Sequence, residues 1–200
     1  MYLNACIDLQ KNVNSLAALR VLLSGLGELD PKLRDDLIAE SLSSFICSKH
    51  NNAKINKLIF SDLIGPQQIG IKGEEIEHVL KRSFSALILS AVIMTDNESF
   101  NSFSKKDLSD AFDAIEQFLI NETNVDDQND DYGWIHCFAH GGDVLTTIMV
   151  HKNCDKELAE KIIEFIQNVR KKDELNGISI NSMMRLEESI KLGKVLKKIS

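Results

Sequence analysis

Apolar residues along this 200-residue chain recur at three- and four-residue spacing, and no run alternates long enough to suggest a half-buried strand. The pattern predicts an all-α fold. A first helix is expected over 5–25, stopping at Gly25 and Gly27. A second runs from Pro31 to about 48, capped by Asp30, with Leu33, Leu37, Leu42, Phe45 and Ile46 as its apolar stripe. Further helices are predicted over 54–63, closed by Gly65–Pro66, and over 74–94, 106–120, 133–151, 155–171 and 181–198. "QQIGIKGE" and the Asp/Asn-rich stretch 121–132 read as loops, and "DELNG" as a break. Short helices with short connections pack as antiparallel neighbours. No shift in composition marks a boundary, so one domain over 1–200 is expected.

The helix over 74–94 carries "SFSALILSAVIM", apolar nearly all round, and belongs at the centre of the fold. Ser83, Ala86 and Ser90 form a stripe of small residues that lets another helix come close. Arg82 sits at the edge of this core and needs an acidic partner from a neighbouring helix. Asp143 is the expected one, because both residues are polar within core-forming segments.

Composition narrows the classes. The apolar share of 44% and charged share of 26% are those of a soluble globular protein. The net charge of −7 argues against nucleic acid, whose binding depends on cations at the phosphates. Cys6, Cys47, Cys137 and Cys154 form no CxxC and suit reduced thiols in the cytoplasm. The N-terminus lacks the basic start and apolar core of a signal peptide. The longest apolar stretch, "ALILSAVIM", is too short to span a bilayer, so no membrane association is expected.

Chemistry concentrates in "DDYGWIHCFAHGGDVL", residues 130–145. On a helix beginning at Gly133, His140 lies roughly 40° and Asp143 roughly 20° from His136, all on one face with Thr147. Trp134, Phe138, Leu145, Ile148 and Met149 gather on the opposite, core-facing side. Two imidazoles at i and i+4 and a nearby carboxylate can hold Zn²⁺ or Fe²⁺ with open positions for water. The glutamate base of HExxH is missing, however, since Cys137 follows His136. Three ligands from one straight helix also span about 10 Å along its axis. The competing reading makes His136 and His140 hydrogen-bonded packing residues. In that reading Gly141–Gly142 lets another helix, or a ligand, approach the backbone closely, which offsets the helix propensity of about 1 kcal/mol lost at each glycine. A third reading is a metal-free pocket lined by Arg82, Trp134, His136, His140 and Asp143.

Other candidates are weaker. "DDQNDDYG" has calcium-loop spacing, but its glycine is one place late and Phe138 stands where the final glutamate belongs. Cys47-x-x-His50 and His151-x-x-Cys154 have zinc-ligand spacing, about a hundred residues apart. Lys191, Lys194, Lys197 and Lys198 complement the dipole of the last helix.

Several segments resemble known families. "LDPKLRDDLIAESLSSFI" resembles one HEAT-type repeat hairpin, which implies helix pairs stacked into a right-handed superhelix. The chain resembles more closely a bacterial family of proteins of unknown function, DUF2785. The resemblance is carried by Leu33-Arg34-Asp35-Asp36, by Lys81-Arg82-Ser83-Phe84-Ser85-Ala86-Leu87, by Gly133-Trp134-Ile135-His136, and by Ala139-His140-Gly141-Gly142-Asp143. Met184-Arg185-Leu186-Glu187-Glu188 adds a looser match, and the whole spans roughly 30–190. The acidic loop before Gly133 departs from the family pattern. The resemblance implies an all-α, solenoid-like domain and no established activity.

The expected function is a non-enzymatic binding or scaffold module that presents a groove to a peptide, a protein or a small ligand. No cofactor is needed for it. The alternative is a metal-dependent, hydrolase-like enzyme with Zn²⁺ or Fe²⁺ on His136 and His140.

Overall fold

The computed structural model describes residues 1–199, apart from the side chains of residues 172–176. The all-α expectation holds, with one two-residue antiparallel ladder among the described residues.

The predicted first helix is two helices, α1 (Tyr2–Gln10) and α2 (Ser15–Ser24), packed on each other. Asn12 and Asn14 between them take left-handed φ of 55° and 48°. Asparagine adopts that conformation more readily than most residues, and hydrophobic periodicity does not register it. The second predicted helix forms, but its first part, Lys32–Ala39, is π-helical before α3 (Glu40–Ile46) continues it. Asp30 caps its start by accepting a hydrogen bond from the Lys32 amide at 2.9 Å.

Helix α4 (Ala53–Leu63) begins at Asn52, whose side chain accepts from the Lys54 and Ile55 amides. Helix α5 (Ile76–Thr95) extends as a π-helical turn over Asp96–Phe100 and stops at left-handed Asn101. Helix α6 (Lys105–Asn121) starts with a reciprocal Ser104–Asp107 capping box. The hairpin β1 (Gln128–Asn129) and β2 (Gly133–Trp134) follows, then α7 (Cys137–Val150), α8 (Lys156–Asn176) and α9 (Ile180–Val195). Helix α8 passes through most of the segment whose composition predicts a break, and Gly177 at φ +72° follows its end.

The odd-numbered helices touch in succession, α1 to α3 to α5 to α7 to α9, and each even-numbered helix packs on at least one of them. Helix α5 is central, as its apolar circumference requires, with Leu80, Ala86, Ile88, Leu89, Val92 and Ile93 fully buried. Together with its π-helical extension it is long and apolar enough to cross a membrane, unlike the nine-residue stretch read from the sequence. In the fold, 61% of its most apolar window is buried against the other helices.

Candidate functional site

The site begins at Arg34. Its side chain is fully buried, and its guanidinium lies 4.5 Å from the centre of the Phe84 ring on α5. Nη1 donates to the Glu28 carbonyl at 3.0 Å, and Nη2 donates to the carbonyls of Tyr132 and Trp134 at 2.7 and 3.3 Å. Asp35 Oδ1 sits 2.8 Å from Nε. Burial draws the Arg34 pKa down against the pull of Asp35, and raises that of Asp35. One buried cation thus ties the β1–β2 hairpin to the π-helical segment. Gly133 makes this possible with φ +69°, its α-carbon facing Pro31 where a side chain would crowd.

Strapped in this way, Trp134 does not join the core, contrary to the helical-stripe expectation. It is 49% exposed and stacks on His136, with ring centres 4.7 Å apart and planes 10° apart. The cause is that α7 starts at Cys137, four residues later than predicted. His136 is its N-cap, in the left-handed conformation at φ 53°, so the periodicity that placed Trp134 inside does not apply.

His136 Nδ1 lies 3.2 Å from Asp127 Oδ1, at ion-pair distance but outside hydrogen-bond geometry. Asp127 also accepts from Ser179 Oγ and, at 2.5 Å, from Ser182 Oγ, and so pins the start of α9. Burial alone would raise the Asp127 pKa, but Ser179, Ser182 and His136 together hold it below the ordinary range.

His140 is only 5% exposed. Its Nδ1 lies 2.9 Å from Ser83 Oγ and 3.2 Å from the Ser83 carbonyl. The Ser83 hydroxyl donates to the Ile135 carbonyl, so both Ser83 oxygens act as acceptors toward Nδ1. That assigns the proton to Nδ1 and leaves Nε2 a lone pair. Nε2 has no hydrogen-bond partner among the described residues. Burial, helped by neighbouring His136 and Arg185, pushes the His140 pKa down to about 3.

Asp143 is paired with Arg185 of α9 at 2.7 Å, and burial raises its pKa against that pairing. Gly141 and Gly142 serve close approach, as expected. A Cβ at Gly141 would stand 2.8 Å from Leu119 Cδ1, and one at Gly142 would stand 2.8 Å from the Leu186 backbone nitrogen.

The expected Arg82–Asp143 pair is not formed. Arg82 Nε and Nη2 bond Glu122 Oε2 at 2.9 and 2.8 Å, and Nη1 donates to the Ile71 and Gly73 carbonyls. Arg82 does have the acidic partner that it requires, but this is Glu122, at the C-terminal end of α6. Arg82 lines a groove of about 760 Å³ with Gly73, Ala114 and Phe118. A second groove, of about 710 Å³, lies between Leu119, Phe138, Phe165 and Val169.

Among the described residues, no three His, Cys, Asp or Glu side chains come together to hold a metal ion. His151 of the His151-x-x-Cys154 pair is fully buried on Asp96 at 3.1 Å. The acidic loop with calcium-like spacing is the β1–β2 hairpin, and Asp127 within it serves His136 and α9.

Thus Trp134, His136, His140 and Asp143 gather on one side of α7, with Arg82 on another cavity. Sequence reasoning missed Arg34, Asp127 and Arg185 as organisers. Arg34 had a signal: it stands four residues before Ile38 and eight before Leu42, on the buried stripe. Of the expected stripe, Leu42, Phe45 and Ile46 are buried, while Leu33 and Leu37 are only half-buried.

A family model described as Protein of unknown function (DUF2785) matches residues 68–176, more than half of the chain. No curated protein and no solved structure matches it. Arg34 and Arg185 lie outside the matched stretch, yet both reach residues within it.

Proposed function

We propose that this chain, which belongs to the DUF2785 family, is a non-enzymatic binding module whose recognition face is built on Trp134 and His136. One observation carries the reading: a large aromatic side chain is half exposed while its backbone is clamped by a fully buried arginine. An exposed indole held rigid offers contact area at low conformational cost, which is how anchor residues work in recognition surfaces. Partners in this reading are a peptide, a protein or a small ligand. The succession of contacting odd-numbered helices supports a HEAT-like stack as the scaffold. The four free cysteines fit a reducing, cytoplasmic setting.

The test is a thermal-shift screen against defined amino acids, nucleosides and short peptides. At least one class is expected to raise the Tm of the native chain and not that of Trp134→Ala. A screen with no shift in any class sinks the proposal.

A second reading is a metal ion on His136 and His140, with the remaining positions filled by water or substrate. It is favoured by the acceptor behind His140 Nδ1, the Ser83 carbonyl, and by the Asp127 carboxylate 3.2 Å from His136 Nδ1, an outer layer of the kind common behind metal-bound histidines. Equilibrium dialysis of untagged protein against Zn²⁺ and Fe²⁺ separates the two. Stoichiometric uptake that disappears in His140→Gln favours the metal, and no uptake removes it.

A further inference from the structure

We propose that the Trp134 face takes a basic segment of a partner polypeptide, with an arginine guanidinium laid on the open side of the indole. The proposal rests on the binding-module reading and names the partner's chemistry.

Three independent features converge. The first is the platform: Trp134 stacks one face on His136 and remains 49% exposed, and Trp is the strongest aromatic partner for a cation. The second is charge. Asp126, Asp130 and Asp131 are exposed on the hairpin that carries Trp134, and Asp36 is exposed on the segment to which Arg34 ties it. Two nearby cations are committed elsewhere, Arg34 on three carbonyls and Asp35, and Arg185 on Asp143, which leaves Lys32, exposed on the segment of Asp36, against the four exposed aspartates. The face therefore carries uncompensated negative charge. The third is His140, more than nine-tenths buried beside the His136 ring, their centres 5.5 Å apart, with an Nε2 lone pair that has no hydrogen-bond partner among the described residues.

Carboxylates, this lone pair and a π-face are all acceptors. A ligand suited to them brings N–H donors and positive charge. A planar guanidinium stacks on an indole and donates in plane, which an ammonium does not. The acidic positions run from 126 to 131 and across to Asp36, more than one cation can neutralise. That spread favours a polypeptide segment over a small cation.

The experiment follows emission of Trp134, the sole tryptophan, during titration with a capped Gly-Arg-Gly-Arg-Gly peptide at low ionic strength. A saturable change is expected, weakened at least threefold in the lysine analogue and at least tenfold in the double variant Asp130→Asn/Asp131→Asn. Neither of these aspartate side chains holds the fold together, since both are exposed. No saturable change, or one untouched by the double variant, overturns the proposal. Spermidine binding as tightly as the peptide overturns it in favour of a small cation. If the arginine peptide fails while an uncharged or acidic probe binds and Trp134→Ala abolishes that binding, the binding-module reading survives and this proposal does not.

Discussion

Arg34 Nη2 donates to the Tyr132 carbonyl at 2.7 Å, joining residues 98 positions apart in the chain. This bond and its neighbour to Trp134 keep the exposed indole in place. Replacing Arg34 by Met removes the cation from three carbonyls and from Asp35. Breaking a buried, hydrogen-bonded ionic cluster costs about 3–5 kcal/mol. Urea unfolding of Arg34→Met is expected to show a loss in that range. Trp134 should also become more accessible to acrylamide quenching in the folded variant. Arg34→Lys is expected to recover little, because an ammonium lacks the planar fork that serves several carbonyls. A loss below about 1 kcal/mol in Arg34→Met would show that the hairpin is held by other contacts.

The two glycines of α7 separate flexible from rigid neighbours. The three atoms nearest a Cβ at Gly141 all belong to the Leu119 side chain, whereas one at Gly142 meets Leu186 N and Arg185 C of the α9 backbone at 2.8 and 2.9 Å. Alanine gains about 1 kcal/mol over glycine in a helix interior. Gly141→Ala is therefore expected to fall within about 1 kcal/mol of the native stability, the helix gain offset by displacement of Leu119. Gly142→Ala must push a helix backbone away and is expected to lose about 1–3 kcal/mol. Equal denaturation midpoints for the two variants would refute the distinction.

These residues also show how much the sequence displays. The adjacent glycines signal a close neighbour, and α5 announces its central place by being apolar all round. Arg82 demands a carboxylate wherever the fold puts it. What periodicity does not carry is backbone conformation at single residues. Left-handed Asn12 and Asn14 turn one predicted helix into two, and left-handed His136 moves the start of α7 from Gly133 to Cys137. The second shift takes Trp134 out of the core. Arg34 escapes for a related reason, since a charged side chain in an amphipathic helix is assigned to solvent until its carbonyl partners, far off in sequence, are known. Glu122 and Asp127 lie in a polar stretch that reads as a loop, and only tertiary contact gives each its partner.

His140 predicts a particular pH response. Burial holds its pKa at about 3 in the fold, against an ordinary value of 6.5. Between those values the unfolded chain binds the additional proton, so stability falls as pH falls, by up to about 1.4 kcal/mol per pH unit. The contribution is complete above about pH 6.5 and is lost progressively toward pH 3. His151 acts in the same direction, its pKa lowered by burial in spite of Asp96. The informative quantity is therefore the difference between native protein and His140→Gln. Urea unfolding from pH 7.5 to 4.5 is expected to show a shallower slope in the variant, whatever its absolute stability. Parallel pH profiles would mean that His140 is protonated in the folded protein.

Trp134 provides the sharpest contrast with a core reading. A buried tryptophan truncated to alanine costs about 3–5 kcal/mol. Here the side chain is 49% exposed, and its main partner is the His136 ring at 4.7 Å. A ring stack adds about 0.5–1.5 kcal/mol beyond its buried area, and the backbone carbonyl held by Arg34 is unaffected by the substitution. With about half of its surface buried, Trp134→Ala is therefore expected to lose about 1.5–2.5 kcal/mol, half the cost at a core site, in urea unfolding followed by circular dichroism. Ligand binding measured by calorimetry should disappear in the same variant. A loss of about 3 kcal/mol or more would return the indole to the core and take away the platform on which the proposed recognition face stands.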